Sequence, residues 1–475
     1  MARRKSTARA SADDAYVFAW EDDPETIDTP KPVERPVPDI KKSQLAFKFQ
    51  GPAVKPGAYP LRSSEFRFWV AAEALRRGAD LWAPVVGSAQ WQTGRTMPVL
   101  LDAGDDLNAY YDRNSLTFFH GMGESGPVYS GESPDVLCHE LGHAVLDVIK
   151  PELWDAASHE AAAFHESFGD ISSILSALQL GSLREAVIAE TRGKLYRNSR
   201  LSRLAEQLGN AIRADFPDAV DRDALRNAVN SFSYQDPIGL PATAPAAQLS
   251  SEAHSFSRVF TGAFFEAFVA SLMVKVKNPN APTSADLLNH SQEATRILGE
   301  AIKRARVVPN FFAQVAAEMI SVSARANRAY PPVLRAVFAR RNILSLTSAA
   351  NVQERQMSAV RSAATPVAPS LSALTLSGTE YGLTGPVLVE AASQPWAFVA
   401  TAAASAYRSQ DPTSSVIAAR AFANDLFRRG RVDADAGQHK DVFYHPRAFK
   451  THDLAKVGGA FRLQRRLFDC GLRHW

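Results

Sequence analysis

The two stretches that decide the fold are Cys138-His139-Glu140-Leu141-Gly142-His143-Ala144 and Phe164-His165-Glu166-Ser167-Phe168-Gly169-Asp170. Residues four apart on a helix lie one turn above each other, so His139 and His143 can offer two ring nitrogens to one metal ion. Two histidines make an incomplete site. Glu166, in a second helical pattern, is the expected third ligand, because a catalytic zinc site has three protein ligands and an open fourth position.

This ligand set predicts a hydrolytic centre with one zinc ion. Zinc held by His139, His143 and Glu166 would lower the pKa of a bound water to about 7. Glu140 would take the proton of that water, and the resulting hydroxide would attack a carbonyl. Asp170, one turn after Glu166, is expected to accept a hydrogen bond from one histidine ring and hold its orientation. The alternative is a helix with two packed or surface histidines, and an ordinary surface carboxylate at Asp170.

The limits of both helices can be read from the sequence. Ser133 is a good cap residue, Pro134 suits the first helical position, and Pro151 predicts the end of the first helix. Ser158 could cap the second helix, and Gly181 predicts its end. Upstream, short β-rich runs at 97–101, 107–112 and 115–120 are separated by turn residues, which predicts a small sheet.

Composition narrows the function classes. The chain has 475 residues, 46% hydrophobic and 22% charged, as in a globular protein able to bury a core. Its 53 basic and 50 acidic residues are well mixed, which argues against a nucleic-acid partner. No run of apolar residues is long enough to predict a membrane span. The basic N-terminus lacks an apolar stretch after it, so the cytoplasm is the default location, with leaderless export as an alternative. The oligomeric state is left open.

Changes of composition divide the chain into four parts. Residues 1–45, with a proline-rich run, are expected to form a flexible N-terminal arm. Residues 46–138 form the predicted N-terminal α/β part, and residues 139–345, which are rich in helical patterns, the helical part. Residues 346–475 begin with a Ser-, Ala- and Pro-rich connection and are a C-terminal extension with no assigned role.

The residues from Asp135 to Val145, taken with Glu166 and Asp170, resemble the thermolysin-type family of zinc metallopeptidases, the gluzincins. The resemblance covers roughly residues 60–343. It implies an α+β fold of the zincin type: a β-rich N-terminal part, a mainly helical C-terminal part and a zinc cleft between them. It also implies hydrolysis of peptide bonds in a peptide or protein substrate.

The resemblance extends to residues outside the zinc motif. Asn108 and Ala109 match the family's edge strand, where an asparagine side chain and an alanine carbonyl hold the substrate backbone. His254 matches the histidine that stabilises the oxyanion, and Arg226 the arginine that binds a substrate carbonyl. The resemblance further implies that Val136 and Leu225 line an apolar pocket for the residue after the cleaved bond.

The sequence also departs from the family pattern. Trp154 stands where the family has a catalytic tyrosine, so its indole N–H is the only possible replacement donor there. The acidic cluster for the family's two calcium ions is largely missing after Asp170, so no double-calcium site is expected. Glu160 is a weak rival to Glu166 as ligand. Two other functions are left open: a zinc aminopeptidase, and a non-catalytic peptide-binding module on the same scaffold.

Overall fold

The computed structural model describes residues 15–25, 31–42, 44–124, 126–350, 371–393, 415–433 and 450–471. Helices and several sheets together form this part of the chain, which is compatible with the expected α+β class. The helices are α1 (Ser64–Val86), α2 (Pro134–Ile149), α3 (His159–Ala177), α4 (Gly181–Thr191), α5 (Glu206–Asp215), α6 (Ala253–Lys275), α7 (Ser284–Arg304), α8 (Phe311–Ala326), α9 (Tyr330–Arg340) and α10 (Ser415–Arg428).

The sheet beside the first histidine motif has five strands. Its members are β3 (Ala46–Phe49), β4 (Thr96–Leu100), β5 (Ala109–Tyr111), β6 (Leu116–Phe118) and β16 (Phe468–Asp469). The strands lie in the order β16-β5-β6-β4-β3, and β16 pairs antiparallel with β5. The predicted runs at 97–101, 107–112 and 115–120 are therefore confirmed as strands. Without β16, which comes from the far end of the chain, β5 would be the edge of this sheet.

The remaining strands form smaller units and a second five-stranded sheet. They are β1 (Tyr16–Ala19), β2 (Val33–Pro36), β7 (His120–Gly123), β8 (Gly126–Tyr129), β9 (Arg203–Leu204), β10 (Arg226–Asn227), β11 (Ser372–Leu376), β12 (Val387–Ala391), β13 (Val432–Asp433), β14 (His452–Val457) and β15 (Ala460–Arg465). The second sheet has the order β11-β12-β15-β14-β13. Helix α10 packs on it through Phe422 and Leu426, and the small core formed there also includes Ala157 and Ala162 from the helical part.

Helices α2 and α3 both begin where the cap residues predict, but α3 ends at Ala177, before Gly181, which is the first residue of α4. Ser133 Oγ accepts a hydrogen bond from the backbone N–H of Val136 at 3.3 Å, and Pro134 is the first residue of α2. The two helices touch through Gly142 and Gly169: a Cβ on Gly142 would lie 2.8 Å from Gly169 Cα. Only glycine allows this approach, which places the two motif-bearing faces against each other.

The expected flexible arm is wrong for the described residues before position 46. Tyr16–Ala19 pairs antiparallel with Val33–Pro36, and Val17 is buried. Asp23 is fully buried and accepts hydrogen bonds from Ser133 Oγ at 2.7 Å and from the Gln207 backbone N–H at 2.8 Å. The composition of this segment resembles that of a linker, but its few apolar residues have partners elsewhere in the fold that local patterns do not reveal.

Helix α6 forms the centre of the helical part. It has 23 residues, and Phe256, Phe260 and Phe264 are all buried. By length and composition it is the one helix among the described residues that could cross a membrane, but 78% of its apolar window is buried inside the protein. Such burial is usual for the core helix of a globular protein.

Candidate metal centre

The three predicted ligands meet where α2 faces α3. His139 Nε2 lies 3.3 Å from Glu166 Oε2, and His143 Nε2 lies 3.8 Å from Glu166 Oε1. Ligand atoms at about 2.0–2.1 Å from a tetrahedral zinc ion would be about 3.3–3.4 Å apart. The helix spacing therefore brings both rings to one carboxylate at separations close to those a zinc ion requires.

The unpaired atoms at this point test whether a metal fits. His139 Nε2, His143 Nε2 and Glu166 Oε2 are buried and have no hydrogen-bond partner. Buried polar atoms without partners are costly, so a group of them that converge on one point requires an explanation. A divalent cation that accepts their lone pairs would satisfy them together, and the nitrogen and oxygen donors suit zinc.

Glu140 is the other carboxylate at this centre. Ligating atoms of His139, Glu140 and His143 lie within 4.8 Å of one another, and this is the only such group found in the described ranges. We favour Glu166 over Glu140 as the third ligand because Glu166 oxygens face both ring nitrogens, whereas Glu140 Oε1 accepts a hydrogen bond from the Cys470 thiol at 2.7 Å. Burial raises the pKa of Glu140 to about 8, which makes it a stronger base than an exposed glutamate.

Asp170 lies where the helix spacing predicts, beside His139. Its Oδ1 is 3.1 Å from His139 Nδ1. A carboxylate can only accept, so Nδ1 carries the hydrogen and Nε2 keeps its lone pair toward the metal position. Burial alone would raise the pKa of Asp170, but Arg226 and His139 outweigh that effect and hold the pKa well below its usual range. Asp170 is therefore an anion at neutral pH.

Arg226 binds Asp170 directly. Its Nη2 donates to Asp170 Oδ1 at 2.8 Å, and its Nε lies 3.1 Å from both carboxylate oxygens. The remaining nitrogen, Nη1, is buried and has no hydrogen-bond partner. One side of the guanidinium thus holds Asp170, and the other side keeps a donor that could meet a substrate carbonyl.

His254 lies across the centre from His139. Its Nδ1 is 2.8 Å from Glu252 Oε1, its Nε2 is 2.6 Å from the carbonyl oxygen of Asp469, and Glu166 Oε2 is 3.2 Å from the same nitrogen. A carboxylate and a carbonyl can only accept, so both ring nitrogens carry hydrogen and the ring is a cation. Burial would lower the pKa of His254, but Glu166 and Glu252 outweigh it and raise the pKa to about 10.

The predicted substrate strand also borders the centre. Asn108 Oδ1 accepts from the Ala109 backbone N–H at 2.8 Å and from the Gly471 backbone N–H at 2.7 Å. The carbonyl of Ala109 accepts from the Cys470 N–H at 2.9 Å. Tyr111, at the other end of β5, donates to Asp147 on α2 at 3.0 Å, which fixes the strand relative to the ligand helix.

Three predicted residues have mixed outcomes. Leu225 lines a small cavity together with Arg226 and His254, whereas Val136 is buried in the main core and is not among the residues that line this cavity. The indole N–H of Trp154 donates to the carbonyl of Arg465 at 3.2 Å. In this structure the only N–H of Trp154 is thus directed at the C-terminal extension and away from the predicted oxyanion.

Several residues that lie at the centre were not predicted from the sequence. The ring of Phe468 stacks on His165 with centroids 4.0 Å apart and on His143 at 4.9 Å. Cys470 reaches Glu140, which is 330 positions away in the chain. The only sequence signal was that Cys470 is one of two cysteines, and this does not indicate a partner.

Glu160, the rival ligand, lies in a different environment. Its Oε1 accepts from the Tyr234 hydroxyl at 2.7 Å, and its Oε2 accepts from the Phe312 backbone N–H at 2.8 Å. Burial raises its pKa from an ordinary 4.5 to about 8. Glu160 therefore joins helices in the core, away from the two motif histidines.

The raised pKa of Glu160 predicts a pH dependence of stability. The folded state keeps this proton up to a pH of about 8, whereas the unfolded chain releases it near 4.5. The stabilisation is thus complete below pH 4.5 and is lost as the pH rises through 8, with a free-energy change of the order of a few kcal/mol. In Glu160→Gln, the urea midpoint should fall less between pH 5 and pH 8 than in the wild type. Equal pH slopes in both proteins would contradict this, and exposed Glu185→Gln is the control.

Comparison with known proteins assigns no family to this chain. No protein-family model matches it, and no curated protein matches it. A function for the chain must therefore be inferred from the geometry of the centre.

Proposed function

We propose that this protein is a zinc-dependent endopeptidase with a thermolysin-like cleft. The observation that carries the proposal is the convergence of His139, His143 and Glu166, with unpaired buried atoms, beside a sheet strand that holds an extended peptide segment. Metal-assisted peptide hydrolysis requires two parts, a set of metal ligands and a strand beside them that binds the peptide.

When bound, zinc would supply a Lewis acid that polarises a peptide carbonyl and lowers the pKa of a water molecule. Glu140 would accept the proton of that water at its carboxylate. His254, with hydrogen on both ring nitrogens, would donate from Nε2 to the oxygen on which negative charge develops. Asp170 would hold the His139 ring, and Asn108 and Ala109 would align the peptide backbone.

The path of the peptide favours an endopeptidase over an aminopeptidase. The segment paired with β5 enters from residue 467 and runs past His254 to Gly471, so the cleft accepts chain on both sides of the carbonyl at His254. A site for free N-termini would need a group that ends the cleft after one residue. Nothing of that kind interrupts the path between Phe468 and Gly471 in the described chain.

The test uses the full chain, zinc analysis and peptides blocked at both ends. We expect about one zinc per chain and cleavage of internal bonds that a chelator abolishes and added zinc restores. His143→Ala should lose the zinc, whereas His120→Ala, which lies outside the ligand group, should retain it. Cleavage only of peptides with a free N-terminus would favour the aminopeptidase, and peptide binding without cleavage the non-catalytic module.

A further inference from the structure

The C-terminal segment Leu467–Gly471 lies in the proposed peptide cleft as an added strand. Phe468 and Asp469 pair antiparallel with Tyr111 and Tyr110 of β5. The Cys470 N–H then donates to the Ala109 carbonyl, and the Gly471 N–H donates to Asn108 Oδ1. These are ordinary edge-strand interactions, in which an extended peptide completes a sheet.

One peptide bond of this segment has the position expected of a bond to be cut. The Asp469 carbonyl accepts from His254 Nε2 at 2.6 Å, and the next N–H, that of Cys470, donates to Ala109 at 2.9 Å. His254 would stabilise an oxyanion in the proposed reaction, so it holds the Asp469 carbonyl where a substrate carbonyl would be. The segment thus occupies the cleft in the register of a substrate.

The side chain of Cys470 distinguishes this segment from a substrate. Its thiol donates to Glu140 Oε1 at 2.7 Å, and both residues are almost wholly buried. The thiol therefore uses the carboxylate oxygen that would accept a proton from water.

Neighbouring contacts close the cleft further. Phe468 stacks against both His143 and His165, and the guanidinium of Arg465 lies 4.0 Å from the centre of the Phe468 ring. Arg465 is in turn held by Trp154, whose carbonyl accepts from Arg465 Nε at 3.1 Å. These contacts explain why Glu140 and His143 are completely buried.

We propose that residues 467–471 are an internal pseudo-substrate that keeps other peptides out of the cleft, with the Cys470 thiol in place of the attacking water. This inference rests on the proposed function, because it takes the cleft to be a peptidase site. A segment tethered within the same chain acts at an effective concentration in the millimolar range. Peptides at micromolar concentration and with similar contacts would displace it in only a small fraction of the molecules, so the wild type would cleave them slowly.

The variant Gly471→Ala, which adds a single methyl group to the segment, tests this arrangement. A Cβ on Gly471 would lie 2.7 Å from Asn108 Cγ and Oδ1, so Gly471→Ala should expel the segment. Gly459→Ala is the matched control, because a Cβ there meets nothing within 4 Å. The first readout is the alkylation rate of Cys470 in the zinc-free full chain, with buried Cys138 as internal reference. We expect about a tenfold or greater increase in Gly471→Ala and none in Gly459→Ala.

The second readout is cleavage of blocked peptides by the zinc-loaded chains. Gly471→Ala should cleave them about tenfold faster than the wild type or more, and Gly459→Ala at the wild-type rate. Cys470→Pro, which loses the N–H that binds Ala109, provides a second route to release, with Cys470→Ser as its control. Thermal unfolding of each variant checks that the fold is retained.

The outcomes separate this proposal from the proposed function. Faster alkylation of Gly471→Ala without any peptide cleavage would support the internal occupant and overturn the peptidase. Equal alkylation rates in Gly471→Ala and wild type, or measurable cleavage at equal rates by both, would overturn the internal occupant. Release of residues 470–475 from the zinc-loaded wild type, seen by mass spectrometry, would also overturn it, since the segment would then be a substrate.

Discussion

Glu140→Gln is expected to lower the kcat for peptide cleavage by a factor of about 10²–10⁴, the range that loss of a general base produces. Glutamine keeps the shape of the side chain but cannot accept the proton of a water molecule. Zinc binding should be retained, because the proposed ligands are His139, His143 and Glu166. The measurement is the cleavage rate of a blocked peptide, in the wild-type chain and in the Gly471→Ala background, with zinc content determined on the same samples.

The control for this result is Glu185→Gln, which makes the same change at an exposed position on α4. It should leave both zinc content and cleavage unchanged. If Glu140→Gln lost its zinc, Glu140 would be a ligand and the assignment of Glu166 would be wrong. Full turnover with zinc in place would exclude Glu140 as the base.

Asp170→Asn is expected to weaken zinc binding about tenfold to a hundredfold and also to destabilise the fold. The zinc effect follows because the neutral amide no longer holds the His139 ring as a charged acceptor. The stability effect follows because Arg226, which is buried, loses the carboxylate with which it forms its ion pair. An unpaired buried charge costs about 3–5 kcal/mol. Zinc titration and urea unfolding of the zinc-free protein measure the two effects separately.

Asp215→Asn, at an exposed position near the end of α5, is the matched control and should change neither quantity. Weaker zinc binding with unchanged stability would show that Arg226 finds another partner. Unchanged zinc affinity would contradict the role of Asp170 in holding His139.

The local part of the candidate site could be predicted because helix geometry is periodic. Positions 139 and 143 had to share a face once the segment was a helix, and Ser133 and Pro134 showed where that helix begins. The same reasoning placed Glu166 and Asp170 one turn apart on α3. Turn residues and β-rich runs also predicted strands β4, β5 and β6 without any tertiary contact.

Predictions based on resemblance varied in outcome. His254 and the strand from Ala109 do border the centre, which a lone histidine or a short β-rich run could not have indicated. Trp154 is next to the centre, but its N–H is used by Arg465. The flexible arm was wrong because Val17 and Asp23 are buried against distant parts of the chain, and composition does not report such contacts.

By itself the sequence determined α2 and α3, where each begins, and the pair of histidines on one face of α2, since each depends on residues within a few turns of one another. Only the tertiary structure decided what lies opposite them. Cys470 meets Glu140 across 330 positions, and Gly471 meets Asn108 across 363. The local periodicity of the sequence does not predict such a contact. The contact forms because the second five-stranded sheet packs so that the residues after it return to β5. The histidine motif thus predicts a metal centre, and the fold adds a peptide segment that fills it.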